Sequence, residues 1–455
     1  MLQYVTMSKK NKFTSYFLTL LVSISLVLSS PSLLLAQNAD NIRGVEIEEA
    51  KKYDPKLSAL SAGLYIPKQI TNATLYGAAK GAKVVSDPDF IKKVEDILYL
   101  YKRELAWFPT FSWTSGGRPN YGGGLYYKKS GFKALTRFSV NDSNYWSLKA
   151  KTSYSRYIGS TKWKTSLVGV YEKRDDRKYY GLGSAPLDDP RNLFFGPKDH
   201  GVFSEERRKL QWSSSLFPDP RWGVTYMGYY QRRSFDPFGI GDDDLQDVFR
   251  LSTVPGFTNG PVTQVYNELA LEMDTRNKKK IISPGWRGEV YTGISAGLDA
   301  NKSDFIRYGA DLAAFIPVIK NDRILVPRIV FNGVDEFDND DPIPFTEFSR
   351  HRTFRGVSDR ELIRNDKLSL VPSLEYQWPL SHILSGHVFI DSLIVGPKVS
   401  EMGWDDFIWA AGAGVDFHFQ NREWGRAQFA MGSEGFQFKF TVGKPLQKNS
   451  RADWK

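Results

Sequence analysis

The chain has 455 residues, which is enough for two or three average soluble domains or for one large barrel. It contains no cysteine, so disulfide bonds, thiolate metal sites and cysteine nucleophiles are excluded. Its formal charge of +10 comes from lysines and arginines spread along the chain rather than gathered in a block, so we expect no nucleic-acid partner.

The composition also fits a transmembrane barrel. Aromatic residues make up 14% of the chain, and its mean hydropathy is −0.39. A barrel has such an average because its strands alternate apolar and polar residues, while its aromatic residues gather at the two membrane interfaces. The positive charge then favours outer-membrane lipid headgroups and lipopolysaccharide as partners.

Residues 1–36 have the pattern of a cleaved export signal. Three lysines between positions 9 and 12 precede an apolar run over residues 17–35, and Ala36 ends it. The alternative is a membrane anchor, but several serines and Pro31 interrupt the run and favour removal. No other stretch approaches the roughly 20 apolar residues of a spanning helix. A mature protein in a membrane is therefore expected to be a closed barrel.

Residues 37–105 differ from the rest and are predicted to form a periplasmic plug, cap or linker. The segment is polar and mixed in composition, and Tyr65-Ile66-Pro67 interrupts it. Asp87-Pro88-Asp89 is a suitable start for a helix over residues 90–100. Phe90, Val94 and Ile97 would share one face of that helix. The segment is thus expected to be short and partly helical.

From Trp107 onward, segments of alternating apolar and polar residues recur, which predicts an all-β, sixteen-stranded antiparallel transmembrane β-barrel over residues 106–445, followed by a tail over 446–455. The soluble alternative is a large β-sandwich or a propeller, and no 40-residue repeat supports the propeller. The predicted strands are 106–114, 120–128, 133–140, 145–156, 161–173, 206–217, 221–233, 262–273, 286–298, 303–316, 323–333, 367–379, 384–394, 407–418, 424–431 and 434–443.

The predicted connections alternate in length as a barrel requires. Short links join the strands at one end, and the three long segments, 174–205, 234–261 and 334–366, all fall at the other end. With this strand count, the last long segment is the sixth loop of the long-loop end.

A further motif follows the eighth predicted strand, in a connection at the short-link end. It comprises Asp274, Arg276, Pro284 and Gly288.

The sixth loop carries a basic stretch whose centre is Phe354-Arg355-Gly356. A basic loop is usually solvated. Two acids, however, lie in the next two predicted strands, Glu375 in one and Asp391 in the other. If the loop folds inward, Arg355 is expected to pair with both, and Gly356 would allow a tight backbone at the loop tip.

Together, these motifs resemble those of the BamA/TamA superfamily of outer-membrane barrels, the bacterial surface antigen family, over roughly residues 104 to 445. The resemblance implies that Phe354, Arg355 and Gly356 anchor the sixth loop in the lumen against Phe389-Ile390-Asp391. It also implies that Asp274 to Gly288 is a periplasmic turn. The periplasmic polypeptide-binding repeats common in the family are not evident in residues 37–105.

The resemblance further implies a weak seam between the first and last strands, where a client strand can add by β-augmentation. Proline in a strand cannot donate a ladder hydrogen bond, and glycine weakens pairing, so both suit such a seam. The alternative is an ordinary pair of terminal strands. The candidate seam residues are Trp107, Pro109, Phe436, Phe438, Phe440 and Gly443.

The implied function is the insertion or translocation of polypeptides, or of lipids, at the bacterial outer membrane. Implied partners are unfolded barrel clients and accessory periplasmic proteins. The alternative is an outer-membrane pore or structural surface protein without insertase activity. We expect no catalytic residues, metal or cofactor. Gly293-Ile294-Ser295-Ala296-Gly297 matches a nucleophile pattern, but it lies within a predicted strand rather than at a strand-to-helix elbow.

Overall fold

The computed structural model shows a closed antiparallel β-barrel of sixteen long strands, as the sequence predicts. The structure describes residues 99–101, 104–114, 118–241, 243–257, 260–277, 282–299, 304–319, 323–337, 343–348, 353–357, 361–380, 384–403, 407–419 and 422–442. The predicted export signal, most of the 37–105 segment and the C-terminal tail therefore lie outside the described residues, as does Gly443.

Eighteen strands are described, of which β1 and β13 are short additions to the sixteen of the barrel. Their bounds are β1 Tyr99–Tyr101, β2 Leu105–Thr114, β3 Asn120–Lys129, β4 Phe132–Val140, β5 Trp146–Ile158, β6 Thr161–Tyr179, β7 Gly201–Asp219, β8 Trp222–Asp236, β9 Val262–Asp274, β10 Gly285–Gly297, β11 Phe305–Ile319, β12 Arg323–Glu336, β13 Glu361–Leu362, β14 Leu368–Pro379, β15 Leu384–Gly396, β16 Ile408–Phe419, β17 Arg422–Gly432 and β18 Gly435–Val442.

Each barrel strand pairs antiparallel with the next along the chain, and β12 pairs directly with β14. The sheet closes where β18 pairs with β2. Closure removes the exposed edges that an open sheet of this size would present.

Alternation within each strand divides the barrel wall into an apolar outer face and a polar inner face. In β7 the outward Leu210 and Trp212 are about half exposed, whereas the inward Gln211 and Ser213 are buried. Inward polar groups bond across neighbouring strands, as between the Oγ atoms of Ser166 and Ser213 at 2.7 Å. The outer face offers lipid an apolar surface, as a membrane barrel requires.

The structure corrects two details of the prediction. Strands β6 and β7 continue beyond residues 173 and 206 into the segment predicted as loop, since Arg177 to Tyr179 register with Phe203 to Gly201. The helix predicted over residues 90–100 conflicts with β1, because Tyr99 and Leu100 are extended and Tyr99 registers with Ala106 of β2. The rest of that predicted helix lies outside the described residues.

The long-loop end of the barrel holds the largest apolar cluster in the described residues. It includes the four-residue helix α1, Leu245–Val248, and residues from the loops that follow β6, β8 and β12. Phe345 is central to it and contacts aromatic rings from three other segments. Of the helices that the structure describes, none has the length and apolar character needed to cross a membrane.

Candidate functional site

The inner anchor of the sixth loop is Arg355, which enters the lumen and contacts the wall formed by β14 and β15. Its Nε and Nη2 donate to the two carboxylate oxygens of Asp391 at 2.8 and 2.7 Å. Its backbone N–H also donates to Asp391 at 3.1 Å. Asp391 is fully buried, so its charge depends on this bidentate partner.

A second acid and an aromatic ring complete the surroundings of Arg355. Its Nη1 donates to Glu375, and its Nη2 donates to Ser373 Oγ at 3.1 Å. Ser373 in turn donates to Asp391 at 2.6 Å. The guanidinium carbon lies 3.5 Å from the centre of the Phe389 ring, a cation–π contact. The structure thus brings together Arg355, Glu375 and Asp391, the three charged residues that the motifs single out.

Phe354 and Gly356 pack on either side of the arginine. Phe354 is 2% exposed and belongs to an apolar cluster with Phe389 and Ala410. A Cβ on Gly356 would come within 2.6 Å of the Ala410 Cβ and 2.7 Å of Phe354. Glycine is therefore required by close packing, whereas the sequence suggested the backbone conformation of the loop tip as the reason.

A second anchor of the same loop, which the sequence interpretation missed, is Glu347. Its carboxylate accepts from Arg307 Nη2 at 2.7 Å and from Gln231 Nε2 at 3.0 Å, and its Oε1 lies 3.0 Å from Arg233 Nη2. Its backbone oxygen also accepts from Arg307 at 2.8 Å. Glu347 is 4% exposed and joins β8 to β11 through the loop. Its sequence signal is an isolated acid between two phenylalanines, Phe345-Thr346-Glu347-Phe348.

The end of the sixth loop docks on the far wall of the barrel. Strand β13 pairs in parallel with the extension of β6, with Leu362 opposite Tyr179. Asn365 Nδ2 donates to the Phe345 oxygen at 2.7 Å, which ties the two ends of the loop together. Because β6 and β14 are separated by several strands on either side, the loop spans the barrel from one wall to the other.

The loop between β6 and β7 forms a polar contact with the sixth loop. Arg191 donates to Asp366 at 2.7 and 3.2 Å, and to Asp189 of its own loop at 2.6 Å. Burial alone would raise the pKa of Asp189, but the hydrogen bonds from Arg191 outweigh it and hold that pKa below its ordinary value. Asp189 therefore stays charged at neutral pH, and Arg191 joins the two loops.

The predicted turn motif lies between β9 and β10. Arg276 Nε donates to Asp274 at 3.0 Å, and its guanidinium carbon lies 4.3 Å from the Phe315 ring centre. The glycine with positive φ is Gly285, at +142°, rather than Gly288, which lies inside β10. Pro284 comes directly before that glycine, at the end of the turn.

The seam between β2 and β18 is short in the described residues. Registered pairs run from Thr114 opposite Lys439 to Phe111 opposite Val442. Outward aromatic rings meet across it, with Trp113 and Phe438 centred 5.7 Å apart. Trp107 and Phe436 are exposed on the outer face, whereas Phe440, opposite Trp113, is half-buried.

Pro109 lies on the seam edge of β2. The Lys128 N–H donates to the Glu104 oxygen at 2.8 Å, so alternate residues counted from Glu104 bond to β3. Pro109 is an odd number of residues further on, and its nitrogen points to the opposite edge. Strand β1 reaches that edge only at Leu105 and Ala106. Among the described strands, none registers with Phe108–Thr110 on this edge.

Comparison with known proteins gives a likeness in structure and none in sequence. The sequence matches no model of a known protein family and no curated protein. The structure of BamA from Haemophilus ducreyi lacking POTRA domains 1-3 superposes with a TM-score of 0.52 at 12% identity, covering 74% of this chain and 70% of that one. CdiB from Acinetobacter baumannii gives a TM-score of 0.45 at 10% identity, covering 74% of this chain and 59% of that one. With its sixteen antiparallel strands closed between first and last, this chain has the fold of the BamA barrel.

Proposed function

We propose that this protein is an outer-membrane barrel that admits polypeptide segments at the seam between β2 and β18, and thereby inserts or translocates them. The observation that carries the proposal is the seam edge of β2, where the nitrogen of Pro109 has no hydrogen to donate to a ladder. The described pairs across the seam join Phe111–Thr114 to Lys439–Val442. A client strand that takes the place of one seam strand gains main-chain hydrogen bonds in exchange for those that it replaces.

The chemistry of the seam edge supports the same proposal. Pro109 directs a nitrogen without hydrogen toward the seam, so β18 has no donor to meet there. Glycine at position 435, with φ of +88°, begins β18 directly after the last turn. A ladder that lacks the donor at Pro109 opens at lower free-energy cost than a complete one.

The anchored sixth loop supports a barrel that must stay folded while its seam opens. Removing one partner from a buried ion pair typically costs about 3–5 kcal/mol, so the Arg355 site holds β14 and β15 firmly to the loop. Glu347 does the same for β8 and β11. The wall opposite the seam is thereby braced.

The partners proposed for this function follow from the surfaces. The apolar outer face suits lipid, and the positive charge of the chain suits lipopolysaccharide and anionic headgroups. The clients would be unfolded barrel proteins, and accessory periplasmic proteins would deliver them. The serine of the nucleophile-like pattern, Ser295, is buried within β10 and is not placed as a nucleophile would be.

The test is client insertion by a seam-locked protein. Because the chain has no cysteine, Trp113→Cys with Phe440→Cys places one disulfide across the seam. The Cα atoms of such facing residues lie roughly 4.5–5.5 Å apart, which suits a disulfide. The protein is reconstituted in liposomes, and the folding of a urea-unfolded outer-membrane barrel is followed. We expect acceleration over empty liposomes, lost when the lock is oxidised and restored on reduction.

A matched lock controls for the chemistry. Phe138→Cys with Leu148→Cys joins β4 to β5 at another facing pair of outward residues, and should leave the acceleration unchanged. Equal loss with both locks, or no acceleration by the unlocked protein, would contradict the proposal. Single-channel conductance in the same liposomes then distinguishes the alternative of a pore from that of a structural surface protein.

A further inference from the structure

The ion pair between Arg364 and Glu434 joins the sixth loop to the last hairpin of the barrel. Arg364 Nη2 and Nε donate to Glu434 Oε1 at 2.8 and 3.1 Å. Glu434 lies in the turn between β17 and β18, directly before the seam strand. Both side chains are about four-fifths sheltered from solvent. No motif of the sequence pointed to this pair.

The tip of that hairpin lies next to the described pairs of the seam. Gly435–Phe438 pair with β17, and the described pairs with β2 begin at Lys439. The turn also contacts β16, since the Ser433 N–H donates to the Trp409 oxygen at 2.9 Å and Ser433 Oγ accepts from the Trp409 N–H at 3.0 Å. The ion pair adds a contact between this tip and the sixth loop.

Arg364 is held rigidly on the loop side. Its φ is +52°, a left-handed conformation that arginine rarely adopts, so its neighbours must impose it. Leu362 is paired to β6, the Asn365 oxygen accepts from the Gly183 N–H at 3.1 Å, and Asp366 is clasped by Arg191. The base of the arginine is therefore fixed to the wall at β6, with three strands between it and the seam strand β2.

We infer that Arg364 is a positioning residue that latches the seam: with the sixth loop docked, it holds the β17–β18 hairpin in the closed position, and its release favours opening. The inference rests on the proposed function for its purpose, but the latch itself requires no client. Arg355 and Glu347 keep the sixth loop docked, and Arg364 reaches the hairpin from that docked loop. The docked loop would therefore control the opening of the seam at a distance.

The test measures the seam directly by double electron–electron resonance. Spin labels on cysteines at Leu125 of β3 and Met431 of β17, both exposed, span the seam with two strands between them. Labels at Phe138 of β4 and Leu210 of β7 span a closed part of the wall by the same number of strands.

For Arg364→Ala we expect a roughly two- to fivefold larger population of long distances across the seam, the range by which such partly exposed ion pairs bias an equilibrium. The distances across the control pair should stay the same. The exchanged pair, Arg364→Glu with Glu434→Arg, should restore the closed distribution, and 1 M salt should mimic the single variant. Arg208→Ala, which breaks the exposed pair with Glu206 on β7, is the control variant.

An unchanged seam distribution in Arg364→Ala and Glu434→Gln would overturn the latch. So would equal broadening at the control pair, which would indicate general loosening of the barrel. The outcome is independent of client insertion. If Arg364→Ala changes the distances across the seam but clients are not inserted, only the proposed function is wrong. If clients are inserted but the distances do not change in Arg364→Ala, only the latch is wrong.

Discussion

The pair β6–β7 and the pair β2–β18 are two extremes of strand pairing in one barrel. Strands β6 and β7 register from Lys162 opposite Phe217 to Tyr179 opposite Gly201, and the sixth loop adds β13 at their far end. In the described residues, β2 and β18 register over four residues each, and the seam edge of β2 lacks a donor at Pro109. We propose that the same closed sheet thus has a braced side and a lightly held seam.

This difference teaches where the barrel can change shape. Each ladder hydrogen bond contributes about 0.5–1.5 kcal/mol, so we expect β2–β18, which lacks the donor at Pro109 and the added strand β13, to open before β6–β7. The sixth loop reinforces the contrast, since both of its anchors lie on walls away from the seam. We therefore expect local opening of the barrel at the seam, the less stable of the two strand pairs.

The largest expected effect comes from Arg355→Ala, which releases the loop from the braced side. The change leaves the fully buried Asp391 without its bidentate partner, at a cost of about 3–5 kcal/mol to the docked loop. We expect the strands to stay intact while the loop becomes open to cleavage. Limited proteolysis, with intact-barrel mobility on a gel as the check of folding, measures this.

The matched control for that variant is Arg328→Ala. Arg328 makes a similar bidentate contact, at 2.8 and 2.7 Å, with Asp311 of the neighbouring strand, and it holds no loop. Its loss should leave loop cleavage unchanged. If Arg355→Ala left the cleavage pattern as in the wild type, the anchoring role would be wrong.

A smaller effect is expected at the second anchor, from Glu347→Gln. The amide keeps the shape of the side chain but loses the charge that faces Arg233 and Arg307. Replacing a charge-assisted hydrogen bond by a neutral one should weaken docking by about 1–2 kcal/mol. Cleavage near Phe345 should rise, with less change near Arg355. Equal cleavage at both places would indicate that the two anchors act as one.

The smallest expected effect sharpens the contrast at the seam. Pro109→Ala supplies an N–H on the seam edge of β2, where the proline nitrogen has none. If the added donor extends the pairing with β18, the new ladder hydrogen bond stabilises the closed seam by about 0.5–1.5 kcal/mol. Client insertion should slow by roughly two- to tenfold, the rate change that this free energy implies. A faster or unchanged rate of client insertion would show that Pro109 has another role.

Much of the architecture could be predicted from the sequence, because strand alternation and turn residues are local signals. All sixteen strands, the ends at which long and short connections fall, and the pairing partners of Arg355 follow from that pattern with the motif resemblance. The extensions of β6 and β7 could not be predicted, because the consecutive charged residues Arg174 to Lys178 hide the alternation.

The contacts that the sequence interpretation missed are those made by the sixth loop across the lumen. Glu347 meets Arg233 and Arg307, more than a hundred and about forty residues away, and nothing in the local sequence marks it as buried. Arg364 meets Glu434 over a similar separation. Such pairs form because closure of the barrel brings distant strands together. The alternation of apolar and polar residues and the composition do not show which residues will meet.

The most direct measurement is hydrogen exchange of the barrel in lipid, resolved by peptide. Our account predicts that amides of β18 and of Phe111 to Thr114 exchange faster than those of β6 and β7, and faster still in Arg364→Ala. It also predicts that the oxidised Trp113→Cys with Phe440→Cys lock slows exchange at the seam alone. Equal protection at β2–β18 and β6–β7, unaffected by the lock, would contradict the claim that this barrel has a weak seam.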